Sequence, residues 1–256
     1  AAPRAEVSMI SSWRLPSQGN KLPAYVRRSF RLKTFGLLSV QLMAVLSVML
    51  LVDSSGSYMQ LNAAWSKVVF AGLGLATTTA LAVLVGCRER YPDNYVLLAL
   101  VTVLVGLYWG MGYSVFSSGF HLQVAGILTV TTCTATALMA GLPLHDHGPS
   151  TFVGPLLVGW LVGSVSDLVL APSLGKPLLT AVLAALTALF LLVFLVLSVG
   201  TRLVSCNPDD FMRVIIAMDS TLLVVVSIPL FFIISCLVHL EAATEDLEAA
   251  EAGEAA

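Results

Sequence analysis

Two carboxylate side chains, Asp167 and Asp219, lie inside long apolar runs of the sequence, and Arg202 and Arg213 lie just before the second of them. An ionisable side chain within a membrane span usually faces the bundle interior or a water-filled cavity, where it marks a path for ions or protons. We therefore predict an intramembrane ion pathway or latch around Asp219. Asp167 is a second candidate, and the alternative for it is a partly hydrated position near the lumenal end of its span.

The two carboxylates are not expected to pair with each other. Counting about 1.5 Å per residue along each span puts Asp219 about 10 Å and Asp167 about 24 Å from the cytoplasmic end. One hypothesis pairs Asp219 with Arg202 or Arg213 in a fixed salt bridge, which would favour a closed pathway. The alternative is that both arginines extend to the membrane interface while Asp219 is only hydrogen-bonded inside the bundle.

The composition predicts that a membrane-embedded helical bundle holds these side chains. Apolar residues make up 57% of the chain and charged residues only 11%, whereas about 25% of a soluble domain is charged. A helical span needs about 20 apolar residues. Seven apolar runs bounded by charged or turn residues satisfy that length, at 34–52, 68–86, 95–116, 122–142, 151–171, 178–199 and 214–238. The predicted fold is an all-α membrane protein, a seven-transmembrane helix bundle.

The distribution of lysine and arginine predicts the orientation of the bundle. Cytoplasmic loops carry an excess of these residues. Of the 13 in the chain, all but Lys67 and Lys176 fall in the N-terminal tail or in the alternate loops on its side. We expect a basic cytoplasmic tail over residues 1–33, the spans over 34–240, and an acidic lumenal tail over 241–256.

Two pairs of glycines have the small-xxx-small spacing that permits close contact between membrane helices. They are Gly106 with Gly110, and Gly159 with Gly163. In a chain this rich in glycine and alanine, packing inside the bundle is the expected use of both pairs, ahead of a dimer interface.

Two stretches of the chain resemble the Bax-inhibitor family, also called lifeguard or transmembrane Bax-inhibitor-motif proteins, which span intracellular membranes seven times. Residues 26–42 contain VRRSFRLK and then LLSVQL, which is similar to the basic start and Gln-Leu signature of the family's first span. Residues 87–100, CRERYPDNYVLLAL, resemble the family's basic Pro-x-Asn turn into the third span. In this turn we expect Pro92 to fix the start of the next helix and Asn94 to cap it. The resemblance covers residues 24–240 and implies a Bax-inhibitor type of bundle.

The sequence departs from the family at the site of its calcium leak. The resemblance implies a latch of two carboxylates, one in a Tyr-Asp-Thr motif at the end of the sixth span and one within the seventh. Two close carboxylates share a proton, so their state follows pH and calcium. Here the first motif reads VGTR, so Gly200 occupies the position of the first carboxylate. The position that corresponds to the second carboxylate lies near Leu222, three residues after Asp219. The latch of the family is therefore incomplete.

Catalysis is not expected from this sequence. A hydrolytic zinc site needs about three histidine or carboxylate ligands at one depth. The four histidines divide between the two sides, with His121 and His239 at lumenal ends and His145 and His147 in a cytoplasmic loop. The GxSxG, HExxH and P-loop motifs are absent. We predict no enzyme, no resident metal or cofactor, calcium as at most a transient ligand, and no nucleic-acid partner.

Two functions remain open from the sequence. The first, implied by the resemblance, is a regulator of calcium or other ions in the endoplasmic reticulum or Golgi membrane that suppresses cell death. The second is a non-conducting viral membrane adaptor that alters the trafficking or degradation of host membrane proteins. The glycine at position 200 supports the second function. Divergence that keeps the bundle and loses the site resembles the expansion of this family in cytomegaloviruses. The expected partners are the lipid bilayer, together with calcium ions in the first function or other membrane proteins in the second.

Overall fold

The computed structural model describes residues 23–55, 63–116, 120–142, 150–173, 175–205 and 211–221. Their regular structure is helical. It consists of α1 (Ala24–Ser55), α2 (Ala63–Cys87), α3 (Asp93–Phe116), α4 (Phe120–Gly141), α5 (Ser150–Ser173) and α6 (Leu178–Ser205). Residues 211–221 form a further helical segment, called α7 below. The predicted all-α class is confirmed for these ranges.

Helices α1 to α6 are all long and apolar enough to cross a membrane. Each of them contains one of the first six predicted runs, apart from the last residue of the fourth. The seventh predicted run, 214–238, overlaps the described part of α7 only at residues 214–221. The described residues therefore support a membrane protein with six candidate spans, and the count of seven stays a prediction.

Helix α1 begins at Ala24, well before the predicted start of the first span at residue 34. The search for apolar runs missed this segment because it is basic, yet arginine, lysine and leucine are all good helix formers. Pro23 precedes the helix, and its carbonyl accepts hydrogen bonds from the backbone N–H groups of Val26 and Arg27. The predicted N-terminal tail is thus helical from Ala24, and residues 1–22 lie outside the described ranges.

Helices α1 and α4 form the middle of the bundle. Helix α1 packs on α3 and α4, while α4 also packs on α5 and α6, and α2 packs on α3. The main apolar core lies between α1, α4, α5 and α6 and includes Phe35, Leu128 and Leu195. A smaller apolar cluster joins α2, α3 and α7 through Leu84, Leu98 and Ile215.

Both glycine pairs lie where two helices approach closely. A Cβ atom on Gly106 would lie 2.7 Å from Cβ of Val48 in α1, and one on Gly110 would lie 2.9 Å from Cβ of Val52. On α5, a Cβ atom on Gly159 or on Gly163 would meet a backbone carbonyl oxygen of α4. The prediction that these glycines serve packing inside the bundle is confirmed.

The basic side chains at the start of α1 contact three other helices at one end of the bundle. The guanidinium of Arg28 donates to the carbonyl of Ala140 at the end of α4. Arg31, which is buried, donates to Oγ1 of Thr151 at the start of α5, over 3.2 Å. The ammonium of Lys33 lies 3.9 Å from the ring centre of Phe211 at the start of α7. These contacts bring the start of α1, the end of α4 and the starts of α5 and α7 together.

The turn between α2 and α3 differs from the prediction in one respect. Helix α3 begins at Asp93, so Asn94 lies within its first turn. The Nδ2 atom of Asn94 donates to the carbonyl of Arg88 over 3.0 Å, and its Oδ1 atom accepts no hydrogen bond within the described ranges. The prediction that Asn94 caps the helix is wrong, because its side chain reaches back across the turn instead.

We expect Gly159→Ala to lower the thermal stability of the protein in detergent micelles, because its new Cβ atom would collide with the backbone carbonyl of Thr131. Overpacking of this kind costs about 1–3 kcal/mol. Gly154→Ala is the matched control, since it lies on the same helix and a Cβ atom there meets nothing within 4 Å. Equal melting temperatures for the two variants would contradict the close α4–α5 contact.

Candidate functional site

Three polar side chains from three helices meet inside the bundle. The Nε2 atom of Gln41 in α1 donates to Oδ2 of Asp219 in α7 over 3.1 Å. The same atom donates to Oγ1 of Thr102 in α3 over 3.3 Å. We call Gln41, Thr102 and Asp219 the Asp219 cluster.

The helical repeat places the three side chains on buried faces. Gln41 is 8% exposed and Thr102 is 7% exposed. Gln41 lies one turn after Leu38 and one turn before Val45, which are both buried. The hydroxyl of Thr102 donates to the carbonyl of Leu98 one turn earlier, over 2.8 Å. That bond satisfies the hydroxyl proton and leaves the oxygen of Thr102 free to accept from Gln41.

A cavity of about 30 Å³ adjoins the Asp219 cluster. Apart from the three polar side chains, the described residues that line it are hydrophobic, namely Leu38, Leu42, Val45, Val101, Val105 and Trp109. A space of this size holds about one or two water molecules. The Oε1 atom of Gln41 is buried and accepts no hydrogen bond from the described residues. The cavity thus combines one carboxylate with an unsatisfied carbonyl oxygen.

The structure does not form the predicted salt bridge of Asp219. Among the described residues, the hydrogen-bond partner of its carboxylate is the neutral amide of Gln41. Arg213 is exposed and lies six residues earlier on α7, which is about 240° around the helix and about 9 Å along its axis. Arg202 is also exposed, near the end of α6. Helix geometry therefore keeps Arg213 off the face that carries Asp219.

Gly200 lies against an aromatic side chain of α5. A Cβ atom on this buried glycine would lie 3.8 Å from Cζ of Phe152 and 3.8 Å from Cγ1 of Val196, with no other atom of a described residue closer than 4 Å. The ring of Phe152 in turn lies 6.5 Å from that of Phe35. The described contacts thus bring neither Gly200 nor Arg202 to Asp219.

Asp167 lies outside the cavity of the Asp219 cluster, on the last third of α5, and is half-buried. Its Oδ2 atom and the Oγ atom of Ser164 are buried and make no hydrogen bond within the described ranges. The hydroxyl of Ser166 donates to the carbonyl of Val162 and therefore does not donate to Asp167. Within the described ranges, Asp167 and Asp219 therefore lie in separate environments.

Sequence reasoning did not identify Gln41 or Thr102 as site residues. The available signal was the amide of Gln41, which has two donor hydrogens and one acceptor and needs partners within an apolar run. Thr102 gave no comparable signal, because threonine in a helix can satisfy its hydroxyl on its own backbone. Only the neighbourhood of α1, α3 and α7 shows that Gln41 contacts both Thr102 and Asp219.

The ranges that the structure describes contain no group of three or more histidine, cysteine, aspartate or glutamate side chains that could hold a metal ion. His121 lies in α4. His145, His147 and His239 lie outside these ranges, so the predicted separation of the histidines stays a prediction.

Comparison with known proteins supports the family resemblance. Protein lifeguard 3 from Mus musculus is 28% identical to this chain over 197 residues. The match covers 73% of this chain and 62% of the relative, so the chain spans less than two thirds of that protein. No family model and no solved structure matches. The similarity supports a relationship to the Bax-inhibitor and lifeguard proteins, and it gives no support to a viral origin.

We expect a double-mutant cycle to show coupling between Gln41 and Asp219, because their side chains hydrogen-bond directly across α1 and α7. Gln41→Leu and Asp219→Leu, made singly and together, should give a coupling free energy of unfolding of about 1–2 kcal/mol. Thr79→Val replaces Gln41→Leu in the control cycle, since Thr79 is exposed and its hydroxyl donates within its own helix. Additivity in both cycles would exclude the contact.

Proposed function

We propose that this chain is a membrane regulator of cell death of the Bax-inhibitor type, and that it acts on the calcium or other cation content of an intracellular compartment. The observation that carries the proposal is the Asp219 cluster, a carboxylate beside a cavity inside a bundle of candidate membrane spans. A carboxylate at such a position is costly and is typical of ion and proton pathways. In this function the chain catalyses no reaction and needs no resident cofactor.

The hydrogen bond between Gln41 and Asp219 is the proposed latch of the pathway. It joins α1 to α7 next to the cavity. An ion that moves along α7 must separate the two side chains or pass between them, so their contact controls access. This arrangement replaces the pair of carboxylates in the related family with one carboxylate and one amide. The amide carries no charge and does not titrate, so the carboxylate is the one member of the pair that can change its charge.

A second candidate function is a non-conducting adaptor that binds other membrane proteins and alters their trafficking or degradation. The observation that favours it is the environment of Gly200, which is buried against Phe152 where the family resemblance implies a carboxylate. The scaffold is then retained without the charge pair that carries ions. The viral version of this function rests on the resemblance to cytomegalovirus proteins alone.

Calcium release from liposomes that contain the purified protein distinguishes the two functions. For an ion regulator, we expect wild-type protein to release calcium and Asp219→Asn to change the initial rate about tenfold, which corresponds to about 1.4 kcal/mol. Asp53→Asn is the control, because this carboxylate is exposed at the end of α1 and lies outside the cavity.

Gly200→Asp tests the adaptor in the same assay. If wild-type protein is silent and Gly200→Asp releases calcium, the bundle is a disabled channel and the adaptor function is correct. If wild-type protein releases calcium and both Asp219→Asn and Asp53→Asn leave the rate unchanged, Asp219 is not part of the pathway.

We also propose that the protein resides in the endoplasmic reticulum or Golgi membrane with its N-terminus in the cytoplasm and its C-terminus in the lumen. The support is the positive-inside rule applied to the 13 lysines and arginines. The contacts of Arg28 and Arg31 with Ala140 and Thr151 agree with it, because they gather the basic start of α1 and the α4–α5 junction at one end of the bundle.

Protease treatment of sealed microsomes tests this orientation. A fluorescent protein fused to the N-terminus should be digested from outside, whereas one fused to the C-terminus should be protected until detergent is added. Digestion of both fusions in sealed microsomes would mean an even number of spans.

A further inference from the structure

The polar atoms that remain unsatisfied in the Asp219 cluster are all acceptors. The donor hydrogens of Nε2 in Gln41 are directed to Asp219 and Thr102, and the hydroxyl hydrogen of Thr102 is directed to the carbonyl of Leu98. Oε1 of Gln41 is buried without a partner among the described residues. The contact of Asp219 with Gln41 is through Oδ2, so Oδ1 of the same carboxylate takes no part in it. An environment of oxygen acceptors with one negative charge calls for a cation.

We propose that this cavity binds one singly charged cation, such as sodium, in preference to calcium. The inference rests on the proposed role of the Asp219 cluster as an ion site, and it specifies the charge of the ion that the site holds at rest. Calcium would then cross only by displacing this resident ion.

The first reason is the charge count. Among the described residues that line the cavity, Asp219 is the one ionisable side chain. A singly charged cation beside its carboxylate makes the site neutral, whereas calcium would leave a positive charge surrounded by leucine, valine and tryptophan side chains. An uncompensated charge in such surroundings is strongly unfavourable.

The second reason is the supply of ligands. Calcium takes about six to eight oxygen ligands. The cavity offers the two carboxylate oxygens of Asp219, Oε1 of Gln41 and Oγ1 of Thr102, and its volume of about 30 Å³ admits about one or two water molecules. The set amounts to about five or six oxygen ligands, which is at or below the smallest number that calcium takes.

The amide oxygen of Gln41 can become a ligand of the cation while α1 and α7 stay in contact. Rotation of its amide about the terminal bond, for which the preference is broad, turns Oε1 toward Asp219. The direct hydrogen bond between α1 and α7 is then replaced by a bridge through the ion. Binding should therefore stabilise the folded bundle, because the ion binds the assembled site and not the separated helices.

Thermal unfolding in lipid nanodiscs tests the proposal. At constant ionic strength, replacing N-methylglucamine chloride with saturating sodium chloride should raise the melting temperature of wild-type protein by about 2–4 °C. Calcium chloride at millimolar concentration should give a smaller rise. Asp219→Asn should abolish the response to sodium, and Asp53→Asn, which alters an exposed carboxylate away from the cavity, should keep it.

Gln41→Glu tests the ion selectivity of the site, whereas Asp219→Asn tests only the loss of binding. This nearly isosteric variant places a second carboxylate beside Asp219, so the charge count then favours a divalent ion. We expect the calcium concentration that gives half of the stabilisation to fall at least about tenfold, since the number of charged ligands sets calcium affinity. Binding of radioactive sodium to wild-type protein in detergent, at about one ion per chain and lost in Asp219→Asn, gives a readout independent of stability.

Two results would overturn the proposal. If calcium stabilises the wild-type protein more than sodium does, and Asp219→Asn abolishes this effect, the site prefers a divalent cation. Equal melting temperatures in sodium and N-methylglucamine chloride, together with no binding of radioactive sodium, would mean that the carboxylate is neutralised by a proton or by water alone. Neither result decides whether the liposomes leak calcium, so failure of the resident ion and failure of the proposed function are separate findings.

Discussion

The polar side chains on the buried faces of α1 determine how the other helices are arranged. Arg31, Ser39 and Gln41 are all buried, and each of them has a hydrogen-bond partner on a neighbouring helix. Arg31 donates to Thr151 of α5, Ser39 shares a hydrogen bond of 3.0 Å with Thr136 of α4, and Gln41 donates into α3 and α7. Each contact fixes the rotation of α1 and the depth of its partner. Because the three residues point to different helices, α1 takes a central place.

The glycines of α3 make the contact with Gln41 possible. Thr102, Gly106 and Gly110 follow one another at intervals of four residues, so they share one face of α3. The two glycines let this face approach Val48 and Val52 of α1 to within van der Waals distance. At that separation the short side chain of Thr102 reaches the amide of Gln41. Apolar packing and the polar cluster are therefore two consequences of one helix–helix contact.

The sequence was sufficient for the features that depend on local pattern. Apolar runs predicted the six candidate spans, and the spacing of Gly159 and Gly163 predicted close packing within the bundle. Asp219 stood out because a carboxylate is rare in such a run. One hypothesis paired it with an arginine, and the alternative, a hydrogen bond inside the bundle, named no partner. Gln41 and Asp219 are separated by 178 residues, and their contact follows from which helices are neighbours. The start of α1 was also missed, because a basic helix that braces the bundle end has no apolar pattern.

The replacement of a charged partner by an amide changes what can hold the bundle closed. Two carboxylates attract each other only while they share a proton, so such a latch opens when that proton leaves. The amide of Gln41 has no proton to lose at any physiological pH, and its donor hydrogens stay available to Asp219. Gly200 of α6, in turn, packs next to the ring of Phe152 in α5. At this position α6 therefore contributes an apolar contact and no charge. In the proposed latch, closure depends on a neutral donor and one carboxylate, and the proposed cation supplies the missing positive charge.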